Sequence, residues 1–344
     1  MIKLGLVGCG RISGKHFDAI ERVNGRANLA AVCDIDAGKF ESLKISDDVR
    51  RYRALDLMLA EEELDLVSVC TPSGMHPKHA IQVANAGVHV LTEKPMATHL
   101  PDADAMIRAC DESGVNLFVV KQNRLNSTLR LLKRAIDKNR FGRIYYVTVN
   151  VFWTRPQSYY DEAPWRGTWE FDGGAFSNQA SHYVDMVDWL IGPVDSVMAY
   201  TGTMARKIEA EDTGVAALHF RNGAIGSINV TMLTYPRNME GSITIIGENG
   251  TARIGGVAVN KIEHWEFAEY DDDDKMVETA SYQTDSVYGY GHTGFYSKVL
   301  DVLEGNGNDC VSGRSGRRAV ELVEAIYLSA RDKRPVALPL KRGA

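Results

Sequence analysis

The chain has 344 residues, enough for two domains, and its 44% hydrophobic and 24% charged residues are ordinary for a globular protein. Its 39 basic and 45 acidic residues give a net charge of −6, which excludes a general nucleic-acid binder. No apolar run reaches the roughly 18 residues of a membrane span and the start lacks a signal-peptide pattern, so we expect a cytoplasmic protein with no membrane partner.

Predicted strands and helices alternate through the N-terminal third of the chain. Strands are expected at residues 2–7, 29–33, 64–70, 89–92 and 115–120, and helices at residues 14–22, 55–63, 77–86 and 101–113. This α/β alternation predicts a doubly wound parallel sheet, and together with the glycine loop described below it makes residues 1–121 the expected Rossmann NAD-binding domain. The five cysteines, at positions 9, 33, 70, 110 and 310, form no Cys-x-x-Cys pair and are expected to be reduced thiols.

The pattern changes after Lys121, where β-rich segments dominate. Helices are expected at residues 127–139, 181–191, 293–304 and 315–331, and strands at residues 143–153, 197–204, 213–220, 224–234 and 242–246. Short turns such as Arg221-Asn222-Gly223 join antiparallel neighbours, so residues 122–344 are expected to form an α+β domain with a large, mostly antiparallel sheet. The acidic run at residues 271–274 is expected to be a solvated loop.

A glycine loop follows the first strand directly. Gly8 and Gly10 let the backbone turn tightly beside a pyrophosphate, whose charge the N-terminus of the next helix favours. Ser13 stands where the third glycine or alanine of the dinucleotide-binding fingerprint is expected, so this motif alone is weak. Asp34, at the end of the second strand, would accept hydrogen bonds from both ribose hydroxyls and repel a 2′-phosphate, which favours NAD over NADP. The alternative is that Asp34 caps the next helix.

Two later strands also end in polar residues, at the edge where ligands of an open parallel sheet bind. Thr71-Pro72-Ser73 and His76 follow the third strand and are expected near the second ribose and the nicotinamide. Glu93-Lys94-Pro95 follows the fourth strand, so Lys94 is expected to act on the reacting atoms. His76 and His79 have a spacing that can ligate metal, but no carboxylate or cysteine nearby completes a site, so no metal is expected.

A second informative segment runs from Trp165 to Asp185. It leads into a helix whose first turn carries His182, with Asp185 one turn further along the same face, where it can orient the imidazole. The positive end of the helix would keep His182 neutral, as a proton acceptor must be. His182 is therefore expected to take a hydroxyl proton while NAD takes the hydride, and Lys94 to stabilise the negative charge on the oxygen. How Lys94 and His182 share the proton stays open.

Together these motifs resemble those of the Gfo/Idh/MocA family of oxidoreductases. The glycine loop, Glu93-Lys94-Pro95 and the Asp-Gly-Gly…His-x-x-Asp segment occur in the family's order and span almost the whole chain. The resemblance implies a Rossmann domain, an α+β domain whose open sheet commonly mediates dimer or tetramer contacts, and a cis peptide bond before Pro95. Asn178 replaces the aspartate of many members, and Ala180 replaces the usual glycine. The implied cofactor contacts are Gly8, Gly10, Arg11, Ile12, Asp34, Glu93, Lys94, Gln122, Trp165 and Arg166.

Within the family the chain is similar to dehydrogenases of UDP-N-acetylglucosaminuronate, in the segments 118–124, 152–160, 165–174 and 178–182. This implies NAD-dependent oxidation of the C3 hydroxyl to a 3-keto sugar in a bacterial surface-polysaccharide pathway, and leaves open whether a 2-oxo acid reoxidises NADH. The substrate's diphosphate and carboxylate need cations, which arginine can supply bidentately. The expected substrate contacts are Lys94, Lys121, Arg124, Arg155, Tyr159, Tyr160, Arg166, Asn178, Gln179 and His182. The alternative for any of these arginines is an ion pair at the interface between the two domains.

Three other functions stay open from the sequence. A dehydrogenase of another polyol or sugar, such as an inositol, would lack the affinity for UDP that a nucleotide-sugar pocket predicts. A non-catalytic dinucleotide-binding regulator would turn over nothing, although the presence of Lys94 and His182 counts against it. A hydrolase that uses bound NAD only transiently would cleave glycosides without net formation of NADH.

Overall fold

The computed structural model describes residues 1–23, 25–284, 291–307 and 311–341, which form two compact units. The first unit comprises the described residues of 1–122 and 291–320, and the second those of 123–284 and 321–341. The sequence had placed residues 291–320 in the second domain, whereas they pack with the first. None of the described helices is long and apolar enough to cross a membrane.

The first unit is built on a six-stranded parallel sheet. Up to residue 122 its elements are β1 (Ile2–Val7), α1 (Ser13–Glu21), β2 (Ala27–Cys33), β3 (Arg50–Tyr52), α2 (Leu55–Glu61), β4 (Leu66–Val69), α3 (His76–Asn85), β5 (His89–Thr92), α4 (Leu100–Glu112) and β6 (Leu117–Val119). The strand order is β3-β2-β1-β4-β5-β6. The last four residues of β1 and all of β4 are buried, as expected for parallel strands covered on both faces. The short β3 escaped prediction because two of its three residues are exposed arginines.

The rest of the chain supplies a second sheet and most of the remaining helices. In chain order the elements are α5 (Ser127–Asp137), β7 (Ile144–Phe152), α6 (Gln157–Asp161), α7 (Ser181–Ile191), β8 (Val194–Gly202), β9 (Thr213–Phe220), β10 (Ile225–Thr231), β11 (Glu240–Gly247), β12 (Gly250–Gly255), β13 (Lys261–Phe267), α8 (Val277–Ala280), α9 (Gly291–Leu303), α10 (Gly313–Asp332) and β14 (Val336–Ala337). Of these, α9 and the first part of α10, residues 313–320, belong to the first unit, and α9 packs against α1.

The second sheet has eight strands in the order β13-β12-β11-β7-β10-β9-β8-β14. Described neighbours are antiparallel except for β7 and β10, which run parallel because the chain between them crosses over through α7, β8 and β9. Strand β7 alternates buried and accessible residues, and its inward Val147, Val149 and Val151 share a hydrophobic core with Tyr183 and Val187 of α7. The predicted fold class, a Rossmann-type domain followed by an α+β domain with a mostly antiparallel sheet, is therefore confirmed.

The acidic run at residues 271–274 is not the solvated loop that the sequence suggested. It begins a short 3-10 helix, Asp272–Met276. Asp271 is the N-cap residue of this helix and forms a capping box with Asp274. Three of the acids pair with basic residues in or just after α5. The pairs are Arg134–Asp273 at 3.1 Å, Lys138–Asp271 at 2.6 Å and Arg140–Asp274 at 2.6 Å. These bases lie far away in sequence, so the acidic run alone could not reveal them.

Glu211 is a buried carboxyl group in the second unit, just before β9. Its Oε1 accepts hydrogen bonds from the backbone N–H of Phe176 at 2.9 Å and from the Tyr327 hydroxyl at 3.0 Å. Its Oε2 has no hydrogen-bond partner among the described residues. Burial raises the pKa of Glu211 to about 7, because the carboxylate loses its hydration, and the charge of the neighbouring Asp212 also raises it.

We expect Glu211→Gln to stabilise the protein at about pH 8 but not at about pH 5. Because the folded-state pKa is raised, the stability that the neutral acid contributes is lost as the pH rises through about 7. Above that pH the wild-type carboxylate costs up to about 3 kcal/mol, which an uncharged amide avoids. Thermal melts of both proteins at the two pH values measure the effect. Glu209→Gln, at an exposed neighbour, is the control, and an equal shift of Tm at both pH values for Glu211→Gln would contradict the prediction.

Candidate active site

The glycine loop joins β1 to α1 as predicted. Gly8 has a φ of +96°, and a Cβ added there would lie 2.6 Å from backbone atoms of Cys70 and Thr71, so only glycine fits. Gly10 has no atom within 4 Å of its added Cβ, so a ligand can approach its backbone. The hydroxyl of Ser13 donates to the Gly10 carbonyl oxygen at 2.7 Å, which gives the serine at the third fingerprint position a role in holding the loop. Arg11 and Ile12 lie between Gly10 and the start of α1.

Asp34 lies directly after β2 with its carboxylate buried. Oδ2 accepts the backbone N–H of Cys9 at 2.8 Å, and Oδ1 accepts that of Asp36 at 2.9 Å. The helix-capping alternative is wrong, because Asp36 rather than Asp34 caps the next 3-10 helix, Ala37–Ser42. Lys39 of that helix lies 3.2 Å from the Asp34 carboxylate. This cation escaped prediction because Lys39 lies five residues beyond Asp34 and reaches it only through the fold of the 3-10 helix.

Cys9, inside the glycine loop, is a buried thiol. Burial and the neighbouring Asp34 carboxylate raise the pKa of Cys9 to about 12. Cys33, Cys70 and Cys110 are also buried free thiols, as expected, while Cys310 lies outside the described residues.

The residues after β4 form the expected polar turn at the carboxyl edge of the sheet. Thr71 and Pro72 lead into a short 3-10 helix, Ser73–Met75. His76 is buried, and its two ring nitrogens each lie 2.8 Å from a backbone carbonyl oxygen, those of Pro95 and Thr71. The imidazole therefore joins the loops after β4 and β5, and the predicted contact of this segment with the cofactor stays a prediction.

The corner after β5 contains Glu93-Lys94-Pro95, and its Lys94–Pro95 peptide bond is cis, as the resemblance implied. Oε1 of the buried Glu93 lies 3.0 Å from His16 Nε2 and 3.5 Å from His292 Nε2. Oε2 accepts the backbone N–H of Lys94 at 3.0 Å. Burial alone would raise the pKa of Glu93, but the hydrogen bond with His16 and the nearby His292 imidazole hold that pKa well below its usual range. Glu93 is thus an ionised carboxylate held by protein groups, and its predicted contact with the cofactor stays a prediction.

The partners of Glu93 were missed because they lie far away in sequence and carry no local motif. Within the part of the chain that the structure describes, His16, Glu93 and His292 are also the only group of side chains close enough to share a metal ion. The hydrogen bond between His16 and Glu93 accounts for that contact without an ion.

At the end of β6, the last strand of the sheet, Lys121 and Gln122 are both buried.

In the second unit, the loop before α7 is built around the buried Asp172. Its Oδ2 accepts the backbone N–H of Gly167 at 2.7 Å, and its Oδ1 accepts the side-chain amide of Asn178. An aspartate at position 178 would bring two carboxylates into contact here, so asparagine suits this loop. A Cβ added to Gly174 would overlap the Glu211 carboxylate, which explains why the segment requires glycine there.

Helix α7 begins at Ser181, so His182 lies in its first turn and Asp185 one turn further on, as predicted. Both side chains are buried. The Asp185 carboxylate forms a bidentate pair with Arg124, 2.8 Å from Nε and 2.7 Å from Nη2. The Arg124 guanidinium also lies over the ring of Trp189 in the same helix. The ion pair of Arg124 holds the helix that carries His182, and the predicted contact of Arg124 with the substrate stays a prediction.

Arg155, Tyr159 and Arg166 form a compact cationic and aromatic group. The guanidinium groups of Arg155 and Arg166 lie 5.4 and 4.1 Å from the centroid of the Tyr159 ring. Tyr160, buried beside Tyr159, packs edge-on against it, and Arg166 also lies near the Trp165 ring. The structure therefore brings together four of the predicted substrate contacts on and beside the short helix α6.

Two further donors in this unit are available to a ligand. Arg166 Nε and Gln179 Nε2 are buried and have no hydrogen-bond partner among the described residues. Because a buried donor without an acceptor is costly, both groups favour binding of an acceptor such as a phosphate, carboxylate or hydroxyl oxygen.

Two family models match the chain. One, described as oxidoreductase family, NAD-binding Rossmann fold, matches residues 2–121, and the other, oxidoreductase family, C-terminal alpha/beta domain, matches residues 133–338. Among curated proteins, the D-apiose dehydrogenase of Paraburkholderia graminis is 25% identical over 97% of this chain and 88% of its own length.

Two solved structures are much more similar. The WlbA dehydrogenase of Bordetella pertussis, in complex with NADH and UDP-GlcNAcA, is 58% identical over 99% of this chain and 98% of its own, with a TM-score of 0.96. The WlbA dehydrogenase of Chromobacterium violaceum, also in complex with NADH and UDP-GlcNAcA, is 55% identical over 99% of this chain and 96% of its own, with a TM-score of 0.95. Since the two family models together span most of the sequence, the chain belongs to the Gfo/Idh/MocA family of oxidoreductases.

Proposed function

We propose that this protein is an NAD-dependent dehydrogenase of UDP-N-acetylglucosaminuronate (UDP-GlcNAcA). The observation that carries the proposal is the 58% identity, over 99% of the chain, with a dehydrogenase solved in complex with NADH and UDP-GlcNAcA. Identity at this level spans both units and therefore covers the cofactor loop and the segment around His182.

The residues of the first unit fit NAD. Gly10 leaves its backbone open to a pyrophosphate, and the following helix favours an anion at its N-terminus. The Asp34 carboxylate, fixed by two backbone N–H groups, suits the ribose hydroxyls and repels a 2′-phosphate. Bound NAD would supply the acceptor for the hydride.

We assign the reaction to the C3 hydroxyl, whose oxidation gives a 3-keto sugar, NADH and a proton. His182 suits the role of base, because the N-terminal end of α7 favours a neutral imidazole. Lys94 suits the role of a donor that stabilises negative charge on the reacting oxygen. Asp185, held by Arg124, fixes the helix that presents His182. Which of Lys94 and His182 finally holds the proton is decided by the variants described below.

The second unit supports an anionic nucleotide sugar as substrate. Arg155 and Arg166 converge on Tyr159 in a protein whose net charge is −6, so positive charge is concentrated locally. Guanidinium groups suit the diphosphate and the carboxylate of UDP-GlcNAcA, and an aromatic ring suits the uracil or the sugar. The unsatisfied donors of Arg166 and Gln179 add to this preference for oxygen-rich ligands.

We further propose that the enzyme acts in the cytoplasm in the synthesis of a bacterial surface polysaccharide, as a dimer or tetramer. The four described cysteines are free thiols, which suits a reducing compartment. Tyr200 and its cross-strand partner Val215 are 64% and 42% exposed on the second sheet, and exposed apolar neighbours of this kind suit a contact between copies.

Purified protein with NAD and UDP-GlcNAcA is expected to form the 3-keto sugar, followed by mass spectrometry, and NADH, followed by absorbance. A parallel sample with 2-oxoglutarate tests recycling, because the keto sugar would then accumulate while NADH does not. UDP should inhibit, since the proposed pocket binds a diphosphate. Absence of keto sugar in both samples, together with turnover of an inositol or another polyol and no binding of UDP, would replace the proposal with a polyol dehydrogenase.

Lys94→Met and His182→Asn are each expected to lower kcat by about 10²–10⁴-fold, the usual contribution of a positioned acid–base group. Steady-state rates of NADH formation measure the effect. Lys78→Met and His264→Asn, outside the proposed site, serve as matched controls and should keep full activity. Near-normal turnover of His182→Asn with loss of turnover in Lys94→Met would make Lys94 the base.

Asp34→Ser is expected to shift the cofactor preference towards NADP, because it removes the repelling carboxylate and leaves the Lys39 ammonium available to a 2′-phosphate. The ratio of kcat/KM for NAD to that for NADP should fall on the order of 10²-fold. Adding Lys39→Met to this variant should remove most of the gained NADP activity, whereas adding Lys44→Met should not. Equal effects of the two lysine substitutions would show that Lys39 has no specific role.

A further inference from the structure

The cluster around Glu93 extends beyond its two histidines. The cluster contains His16 from α1, Ser68 from β4, Glu93 from the corner after β5, and His292 and Tyr296 from α9. The last two residues lie one helical turn apart. All five residues belong to the first unit, and none is more than 6% exposed. Buried polar groups are mostly hydrogen-bonded within a protein, and of these five side chains only His292 has a ring nitrogen, Nε2, without a hydrogen-bond partner among the described residues.

Four of these side chains form one continuous line of hydrogen bonds. Ser68 Oγ lies 2.7 Å from the Tyr296 hydroxyl, which lies 2.8 Å from His16 Nδ1. His16 Nε2 lies 3.0 Å from Glu93 Oε1. The line ends at the backbone of the next residue, because Glu93 Oε2 accepts the Lys94 N–H at 3.0 Å.

The chemistry of the groups fixes the direction of donation along this line. An ionised carboxylate can only accept, so His16 Nε2 carries a proton and donates to Glu93. Burial lowers the pKa of His16, although Glu93 opposes this, so the imidazole is neutral and its Nδ1 accepts. Tyr296 therefore donates to Nδ1, and Ser68 donates to Tyr296.

We propose that Tyr296 and His16 are positioning residues for Lys94, acting through the Glu93 carboxylate. The proposal rests on the assignment of Lys94 to the reacting oxygen under the proposed function. Loss of the Tyr296 donor leaves Nδ1 of His16 without its partner, so the imidazole ring is no longer held on that side and is free to tilt away from Glu93. The carboxylate then turns, and the backbone that carries Lys94 moves with it. A misplacement of about 1 Å costs on the order of 10²-fold in rate.

Tyr296→Phe tests this with the loss of a single oxygen atom. We expect kcat to fall by about 10-fold or more, while KM for NAD and for UDP-GlcNAcA changes by less than about twofold. Tyr52→Phe is the matched control, since it removes a hydroxyl that binds Glu62 in the same unit and should leave kcat unchanged. His16→Gln, which keeps an N–H donor, should retain more activity than His16→Leu. A kcat for Tyr296→Phe within about twofold of wild type would overturn the proposal.

A measurement without substrate separates this proposal from the proposed function. Nitrogen-15 NMR of histidine-labelled protein reports the tautomer of each imidazole, with His16→Gln to assign the signal. A neutral His16 imidazole with its proton on Nε2 in the wild type would support the line of hydrogen bonds. A shift of the His16 nitrogen-15 signals in Tyr296→Phe would support it further. If that result came with no turnover of UDP-GlcNAcA, the proposed dehydrogenase function would be rejected, while the line of hydrogen bonds would remain supported. A proton on Nδ1, or a stoichiometric metal ion found by elemental analysis and lost in His16→Gln, would overturn the line itself.

Discussion

The six strands of the first sheet all run in the same direction, and the rest of the first unit follows from this constraint. Parallel strands must all end at one edge of the sheet, so residues that are far apart in the chain are collected there. Gly8, Asp34, Thr71, Lys94 and Lys121 each follow a different strand and lie along this edge. Because the loops at this edge lie close together, their buried backbone N–H and C=O groups must form hydrogen bonds with neighbouring loops.

The contacts between these loops show how that requirement is met. The Asp34 carboxylate binds the glycine loop through Cys9, and His76 bridges the loops after β4 and β5. In the second unit, Asp172 and Glu211 bind the segment before α7, while Arg124 holds Asp185 of that helix. Both units therefore place buried polar networks next to the proposed catalytic groups. Hydrogen bonds inside such networks are strong because the surrounding dielectric constant is low, so they hold the loops in a defined geometry.

The sequence predicted most of what depends on local pattern. The apolar runs predicted β1, β4 and β5. The glycines before His182 predicted that α7 begins at Ser181, as observed. Strands β12 and β13 were missed because one begins and ends with glycine and the other is rich in charged residues. The order of the motifs was enough to identify the family, because it reflects the order of the strands.

What could not be predicted depends on pairs of residues that are distant in sequence. Nothing near Glu93 indicates that His16 and His292 will enclose it, and nothing near Arg124 indicates that Asp185 will take its guanidinium. In a sequence, an arginine that binds a substrate cannot be distinguished from one that forms an ion pair with an internal carboxylate. Only the fold decides which acid lies within reach.

The raised pKa of Cys9 has a consequence for the chemical durability of the protein. The thiolate is the form of cysteine that reacts with peroxides and alkylating reagents. With its pKa at about 12, the Cys9 thiol is almost entirely protonated near neutral pH, and the glycine loop shields it from reagents as well. A sulfur atom therefore lies in the loop proposed to bind the cofactor without making that loop a target for oxidants.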